Sequence, residues 1–249
     1  MSFSVKLGNF LYKNAFPLYN FMYPIFKKRQ DVKELNLIRS VIKPGNNVLD
    51  IGANIGFYSK ILSKITGNKG KVIAFEPDST NYRYLKNNIK GFKNITPVAK
   101  AVSENSDKIK IYTSNFLNVD HRTYPVDDYN EVIEIDATSI DDYVKGEFKV
   151  DFIKMDIQGY ESSALKGMIN TLNANSQIKI LTEFWPYGLN KAGVLVKDFI
   201  KQIEELGLNI YLIKGDHLTE FDKSINYQDW PDTQYKNLLL SKSTIKIQE

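Results

Sequence analysis

Two apolar periods divide this chain. Val32, Leu35, Leu37, Ile38, Val41 and Ile42 recur at helical spacing until Pro44-Gly45 ends them, which predicts a helix over 32–42. Short apolar runs then alternate with helical stretches: strand 47–51, helix 56–66, strand 71–75, a helix through Tyr82, Leu85 and Ile89 stopped at Gly91, and a third strand within 94–102. Three such alternations call for a parallel sheet covered on both faces. The middle departs from this pattern. Residues 108–112 and 131–136 alternate polar with apolar, as half-exposed strands of an inserted hairpin do, and 114–130 between them is polar and poorly periodic. The alternation resumes with a short helix over 138–144, a buried strand over 150–156 and a helix from Glu161 to about Leu172. Strand 177–184, helix 193–206 and strands 208–213 and 236–241 follow; no clear helix joins the last two, so the last strand is expected to be antiparallel. The implied class is α/β. It is a doubly wound, mostly parallel, seven-stranded Rossmann-like sheet with helices on both faces and a hairpin and loop inserted around 105–136.

Residues 1–30 stand apart from a single domain expected over 31–249. They hold Phe3, Phe10, Tyr12, Phe16, Tyr19, Phe21, Met22, Tyr23 and Phe26, interrupted by Pro17 and Pro24. No apolar run there is long enough to span a bilayer, and no secretory signal is recognisable, so the cytoplasm is the expected compartment. One or two short helices are expected, packing on the domain or across a homodimer, or lying at a membrane interface. Charge sharpens the picture. The chain's net charge is +4, and this segment alone carries Lys6, Lys13, Lys27, Lys28 and Arg29 with no acid, leaving −1 for the rest. A basic face across the body is missing, so nucleic acid is not an expected partner. With no cysteine, disulfides, thiolate zinc sites and cysteine nucleophiles are excluded.

The chemistry centres on the turn after the first strand, Asp50-Ile51-Gly52-Ala53-Asn54-Ile55-Gly56. Glycine there tolerates positive φ and permits close backbone approach to a ligand, which would meet free N–H groups at the start of the next helix. Glu76 lies 20 residues beyond Gly56, at the end of the second strand, where a carboxylate can accept both hydroxyls of a ribose. The turn lacks the third glycine of a dinucleotide site, and Asp50 would repel a pyrophosphate. An acid there suits the cationic and zwitterionic groups of S-adenosylmethionine.

These residues carry a family resemblance. Leu49-Asp50-Ile51-Gly52-Ala53-Asn54-Ile55-Gly56-Phe57-Tyr58-Ser59, Ala74-Phe75-Glu76-Pro77, Ala101-Val102-Ser103, Thr138-Ser139-Ile140-Asp141-Asp142-Tyr143 and Asp151-Phe152-Ile153-Lys154-Met155-Asp156-Ile157-Gln158-Gly159-Tyr160-Glu161 follow in order over about residues 46 to 186. The chain thereby resembles the FkbM family of class I S-adenosylmethionine-dependent methyltransferases. The resemblance implies O-methylation, commonly of sugar or polyketide hydroxyls, and a small-molecule or glycan acceptor. It places Gly52, Ala53, Asn54 and Gly56 around the methionine moiety, Glu76 at the ribose, and Ala101 with Val102 near the adenine, with Asp50, Tyr58 and Pro77 as further expected cofactor contacts. One position departs: many members read Asp-x-Glu-Gly where this chain has Asp156-Ile157-Gln158-Gly159.

Methyl transfer to an alcohol needs a general base near the acceptor oxygen. His121, between Asp120 and Arg122 in the long insertion, is one candidate, with Arg122 placed to grip an anionic acceptor; an exposed loop residue is the competing reading. Lys154 and Asp156, two apart in a strand, point to one face, either as a structural ion pair or with Asp156 as a catalytic candidate at the rim of the site and Lys154 with Gln158 as acceptor contacts. Glu183 closes another strand, where it either faces the same pocket as a further catalytic candidate or has a structural role at the strand end. The spacing of Asp156, Glu183 and His121 fits no standard metal motif, so no metal is expected. No Asn/Asp-Pro-Pro-aromatic run of the amine methylators follows Asp156, which favours oxygen over nitrogen. The competing classes are a nicotinamide-dependent oxidoreductase and a cofactor-binding module without catalysis.

Overall fold

The structure, a computed structural model, describes residues 3–114, 129–215 and 217–245. In chain order the elements are α1 (Phe3–Asn14), α2 (Phe16–Gln30), α3 (Val32–Val41), β1 (Asn47–Ile51), α4 (Phe57–Thr66), β2 (Lys71–Phe75), α5 (Ser79–Asn88), β3 (Ile95–Val98), β4 (Ala101–Val102), β5 (Lys108–Ser114) and β6 (Tyr129–Thr138). Then come α6 (Ile140–Val144), β7 (Phe152–Met155), α7 (Glu161–Lys166), α8 (Ile169–Asn173), β8 (Lys179–Phe184), α9 (Pro186–Lys191), α10 (Val196–Glu205), β9 (Asn209–Lys214), β10 (His217–Glu220) and β11 (Lys236–Ser241).

The main sheet has the order β10-β9-β11-β8-β7-β1-β2-β3. β3, β2, β1, β7 and β8 run parallel, while β11 lies antiparallel between β8 and β9. The antiparallel last strand is as the sequence predicts. The count is eight rather than seven, because the chain turns at Gly215 (φ 64°) and pairs His217–Glu220 back onto β9. Alternate strand residues feed two apolar layers: Leu49, Ile51, Ile73, Phe75, Ile153 and Met155 on one face, and Val48, Val72, Ala74, Phe152 and Leu181 on the other.

Two further differences have local causes. The predicted third strand splits: β3 stays in the main sheet, but β4 leaves it to pair with β6, forming a second sheet of order β4-β6-β5 that contains the inserted hairpin. The predicted helix from Glu161 to Leu172 breaks at Gly167, where an added Cβ would lie 2.0 Å from the carbonyl oxygen of Ser103. That close approach leaves α7 and α8 as separate short helices.

Helices α1 and α2 lie against α4 and α5. The Tyr12 hydroxyl donates to Asn81 Oδ1 at 2.6 Å, the Phe16 and Tyr84 rings stack, and Asn20 and Asn88 exchange side-chain amide bonds at 2.9 Å. Asn88 also donates to the carbonyl of Ile55, tying the N-terminal helices to the glycine turn. Helix α2 runs through Pro24, so that proline does not end it as its position alone implies.

Candidate active site

The chain leaves β1 outward to β2 and β3 and returns to β7 on the other side of β1, so the strand order reverses between β1 and β7. Ligands of open α/β sheets bind in the crevice at the carboxyl ends of strands at such a reversal. Both motifs emerge there. Gly52 (φ 79°) follows β1, and a Cβ on it would lie 2.1 Å from the Asp156 carbonyl oxygen beyond β7. Its glycine requirement therefore comes from the crossing of two backbones, not from ligand approach as the sequence suggests. Gly56 (φ 85°) starts α4, and a Cβ there would meet Leu85 Cδ1 at 2.7 Å. We expect Gly52→Ala to lower stability by roughly 3 kcal/mol, from backbone strain and overpacking together. Chemical denaturation measures this, and a loss near zero would contradict the geometry.

The turn is hydrogen-bonded to its neighbours. Gly52 and Ala53 N–H donate to the Phe75 carbonyl at 3.0 and 2.9 Å, and Asn54 N–H donates to Glu76 Oε2 at 2.8 Å. Asp78 N–H donates to the other Glu76 oxygen at 3.0 Å. Glu76 is buried, and burial pushes its carboxyl up to about 7 against those backbone bonds. A side-chain hydrogen bond from Asn81 also reaches this carboxylate, which keeps acceptor capacity for ligand hydroxyls on its remaining lone pairs.

A cavity of about 750 Å³ opens over this turn. Gly52, Ala53, Asn54, Tyr58, Glu76, Pro77, Ala101 and Val102, all read from the sequence as cofactor contacts, lie on its wall together with Lys154, Asp156, Gln158 and Glu183. Asp50 and Gly56 do not. Asp50 lies on the sheet face toward α4, accepts from Ser59 Oγ at 2.6 Å, and has its other oxygen buried without a hydrogen-bond partner among the described residues. Burial raises its carboxyl, opposed by Lys154 and Ser59. Asp50 shares its sheet face with its register partner Lys154, whose longer side chain reaches the cavity, whereas Asp50 is fully buried against Ser59 of α4. The volume, the mixed lining and a buried carboxylate beside a backbone turn fit a nucleoside ligand.

At the ends of β7 and β8 two carboxylates share one amide. Gln158 Nε2 donates to Asp156 Oδ1 and to Glu183 Oε2, each at 3.0 Å, and Lys154 Nζ lies 3.3 Å from Asp156 Oδ2. Gln158 reaches both because it sits at φ 55°, followed by Gly159 at φ 97° packed on the Gly188 backbone. The two acids diverge. Burial works to raise Asp156, but Lys154, Lys27 and the Gln158 bond together hold it below the ordinary carboxylate range. Burial and the charges of Asp156 and Glu161 push Glu183 well above that range. Acids driven apart in this way are suited to divided acid and base roles.

The sequence reading missed the outer half of this cluster. Lys27 on α2 contacts Asp31 at 2.9 Å, Asp31 accepts from the Tyr58 hydroxyl at 2.6 Å, and Lys154 sits over the Tyr58 ring. Tyr235 and Asn237, from the last strand and the segment before it, border the same group. The available signal was the Lys-x-x-x-Asp spacing at the junction of α2 and α3, one ion pair among many such spacings. Ile109 and Ile111 of the insertion also reach the cavity. His121 and Arg122 lie outside the described residues.

Comparison with known proteins agrees with this geometry. Residues 50–210 match the family described as the methyltransferase FkbM domain. The hexuronic acid methyltransferase AglP of Haloferax volcanii is 28% identical over 195 residues, covering 77% of this chain and 74% of that protein. Among solved structures, an rRNA methylase from Streptococcus thermophilus is similar at a TM-score of 0.51 and 12% identity, covering 85% of this chain and 95% of that one. A Streptococcus mutans protein in complex with S-adenosylhomocysteine is similar at 0.50 and 11%, covering 83% and 94%. At such identities these two speak for the fold alone. The nicotinamide-dependent alternative finds no support. With the glycine turn, the Glu76 strand end and the β7 motif all inside the matched span of residues 50–210, this chain belongs to the FkbM family of S-adenosylmethionine-dependent methyltransferases.

Proposed function

We propose that this chain is an O-methyltransferase acting on a hydroxyl of a sugar or glycan, with Glu183 as the general base. The observation that carries the reading is the pair Asp156 and Glu183 on one Gln158 amide at the cavity wall, with only Glu183 pushed up. S-adenosylmethionine supplies the electrophilic methyl group when bound. Gly52, Ala53, Asn54 and Tyr58 would border its methionine end, Glu76 would accept from its ribose, and Ala101 and Val102 would flank its adenine.

For this chain's own residues, the task is to orient one oxygen and take its proton. A carboxyl raised toward neutrality is a competent base for an alcohol that loses its proton as the new bond forms. The ionised Asp156 keeps Glu183 basic, and Gln158, which donates to both, fixes their spacing. A glutamate at 158 could not donate in its ionised form, so the departure of this chain from Asp-x-Glu-Gly serves the shared bond. The surrounding Tyr23, Tyr58 and Trp185 exclude water from the alcohol. A sugar acceptor is favoured by the relative described as a hexuronic acid methyltransferase.

The test is the pH dependence of methyl transfer to uronic acid glycosides. Glu183 acts when ionised, so the rate climbs with pH through a value above the ordinary carboxylate range. Asp156→Asn removes the adjacent negative charge, eases ionisation of Glu183 and moves that limb to lower pH. An acid limb that stays in place in Asp156→Asn would remove Glu183 from the base role.

A further inference from the structure

Helix α2 is amphipathic in the reverse sense. Leu18 (49% exposed), Phe21 (71%), Met22 (45%), Ile25 (47%) and Phe26 (57%) recur at i, i+3, i+4, i+7 and i+8 and form an exposed apolar stripe that borders the cavity at Met22 and Phe26. The inward side is the polar one: Tyr19 and Tyr23 stack at 5.1 Å, Asn20 pairs with Asn88, and Lys27 pairs with Asp31. Scattered exposed apolar residues need no account, but a continuous stripe on one helix marks an interaction surface.

Its surroundings are basic. α1 and α2 hold no acid, Lys28 and Arg29 are exposed at the end of the stripe, and Lys6 is exposed on α1. Lys60 of α4 lies within reach of both Lys64 and Lys28; burial first, then the charges of Lys64 and Lys28, lower the Lys60 ammonium below its usual value. Like charges gathered with no acid among them need an anionic partner. The stripe runs on into the cavity wall through Met22 and Phe26, which Leu7 and Leu11 of α1 join.

We propose that α1 and α2 seat this enzyme on an anionic lipid bilayer surface, the α2 stripe entering the acyl boundary and Lys28, Lys60 and Lys64 contacting headgroup phosphates. An apolar helical face edged by cations is the pattern of interfacial helices, and each cation near an anionic leaflet strengthens binding. Helix α2 then has two jobs: its outer face meets lipid while Tyr23 and Lys27 on its inner face line the cavity. The mouth of the cavity faces the membrane as a result. The proposal is independent of which acceptor is methylated.

Sedimentation of the full chain with phosphatidylcholine vesicles, with and without phosphatidylglycerol, tests it. The expected result is binding to anionic vesicles, weakened about tenfold or more by high salt or by omitting phosphatidylglycerol. Phe21→Ser with Ile25→Ser, and separately Lys28→Glu with Lys64→Glu, each weaken binding about tenfold while S-adenosylhomocysteine affinity, which reports folding, is unchanged. None of these four residues lines the cavity. Absence of vesicle binding, equal binding to neutral vesicles, or binding unaltered in both variants overturns the proposal. So does a concentration-dependent dimer that Phe21→Ser with Ile25→Ser abolishes, since the stripe then joins two copies of the chain.

Discussion

Replacing Glu183 by Gln lowers the turnover of methyl transfer by about a hundredfold or more, within the range that a positioned general base contributes. The substitution keeps size and shape, and its side-chain oxygen can still accept from Gln158, so the β7 and β8 ends keep their spacing. Only the ability to take a proton is lost. Steady-state kinetics should show the fall in kcat with little change in S-adenosylmethionine affinity, because the hydrogen bonds of Glu183 and Glu76 have no partner in common among the described residues. The residual rate should also lose its acid limb. Full activity in Glu183→Gln would transfer the base role elsewhere, with His121 first in line.

The second large effect is expected at Glu76. Glu76→Ala should weaken S-adenosylhomocysteine binding by roughly 1.5–3 kcal/mol, about ten- to a hundredfold, because a charged acceptor for two hydroxyls disappears. The substitution also leaves the N–H groups of Asn54 and Asp78 without their acceptor, so the turn that borders the cofactor loses its tether. A dependence on pH distinguishes the carboxylate from a merely structural side chain. Ribose hydroxyls donate best to the ionised form, and the folded carboxyl sits at about 7 rather than 4.5. Affinity should therefore rise with pH up to about 7 and level off above it, and that slope should vanish in Glu76→Ala. Calorimetric titration across pH 5 to 8 measures both; a flat wild-type profile with unchanged affinity in the variant would refute the ribose assignment.

The parts of this molecule that the sequence made legible are those where local pattern and fold agree. Periodicity recovered the alternating α/β core, and strand-end placement brought Glu76, Asp156 and Glu183 to one cavity. A motif read as a string does not reveal that the short Asp50 side chain is fully buried against Ser59 of α4 and takes no place on the cavity wall. Gly52 was read correctly as a turn, but the atom that forbids a side chain there belongs to Asp156, more than a hundred residues away. The split at Gly167 and the departure of β4 likewise depend on contacts between distant segments. Gln158 looked like a loss from a motif until its amide was seen to hold two acids. Lys27 and Asp31 gave no chemical signal of their own, because only the folding of α2 over the sheet brings them to the Asp156 cluster.

The proposed reaction is methyl transfer to a sugar oxygen at the Asp156 and Glu183 end of the cavity. Its most direct test is the product formed when the full chain is incubated with methyl-labelled S-adenosylmethionine and a panel of uronic acid oligosaccharides, with the labelled position located by mass spectrometry and NMR. The account predicts one label on a hydroxyl oxygen of the sugar, formed at least about a hundredfold more slowly by Glu183→Gln. A label on nitrogen or carbon, or no transfer to any sugar while S-adenosylhomocysteine binds normally, would contradict it.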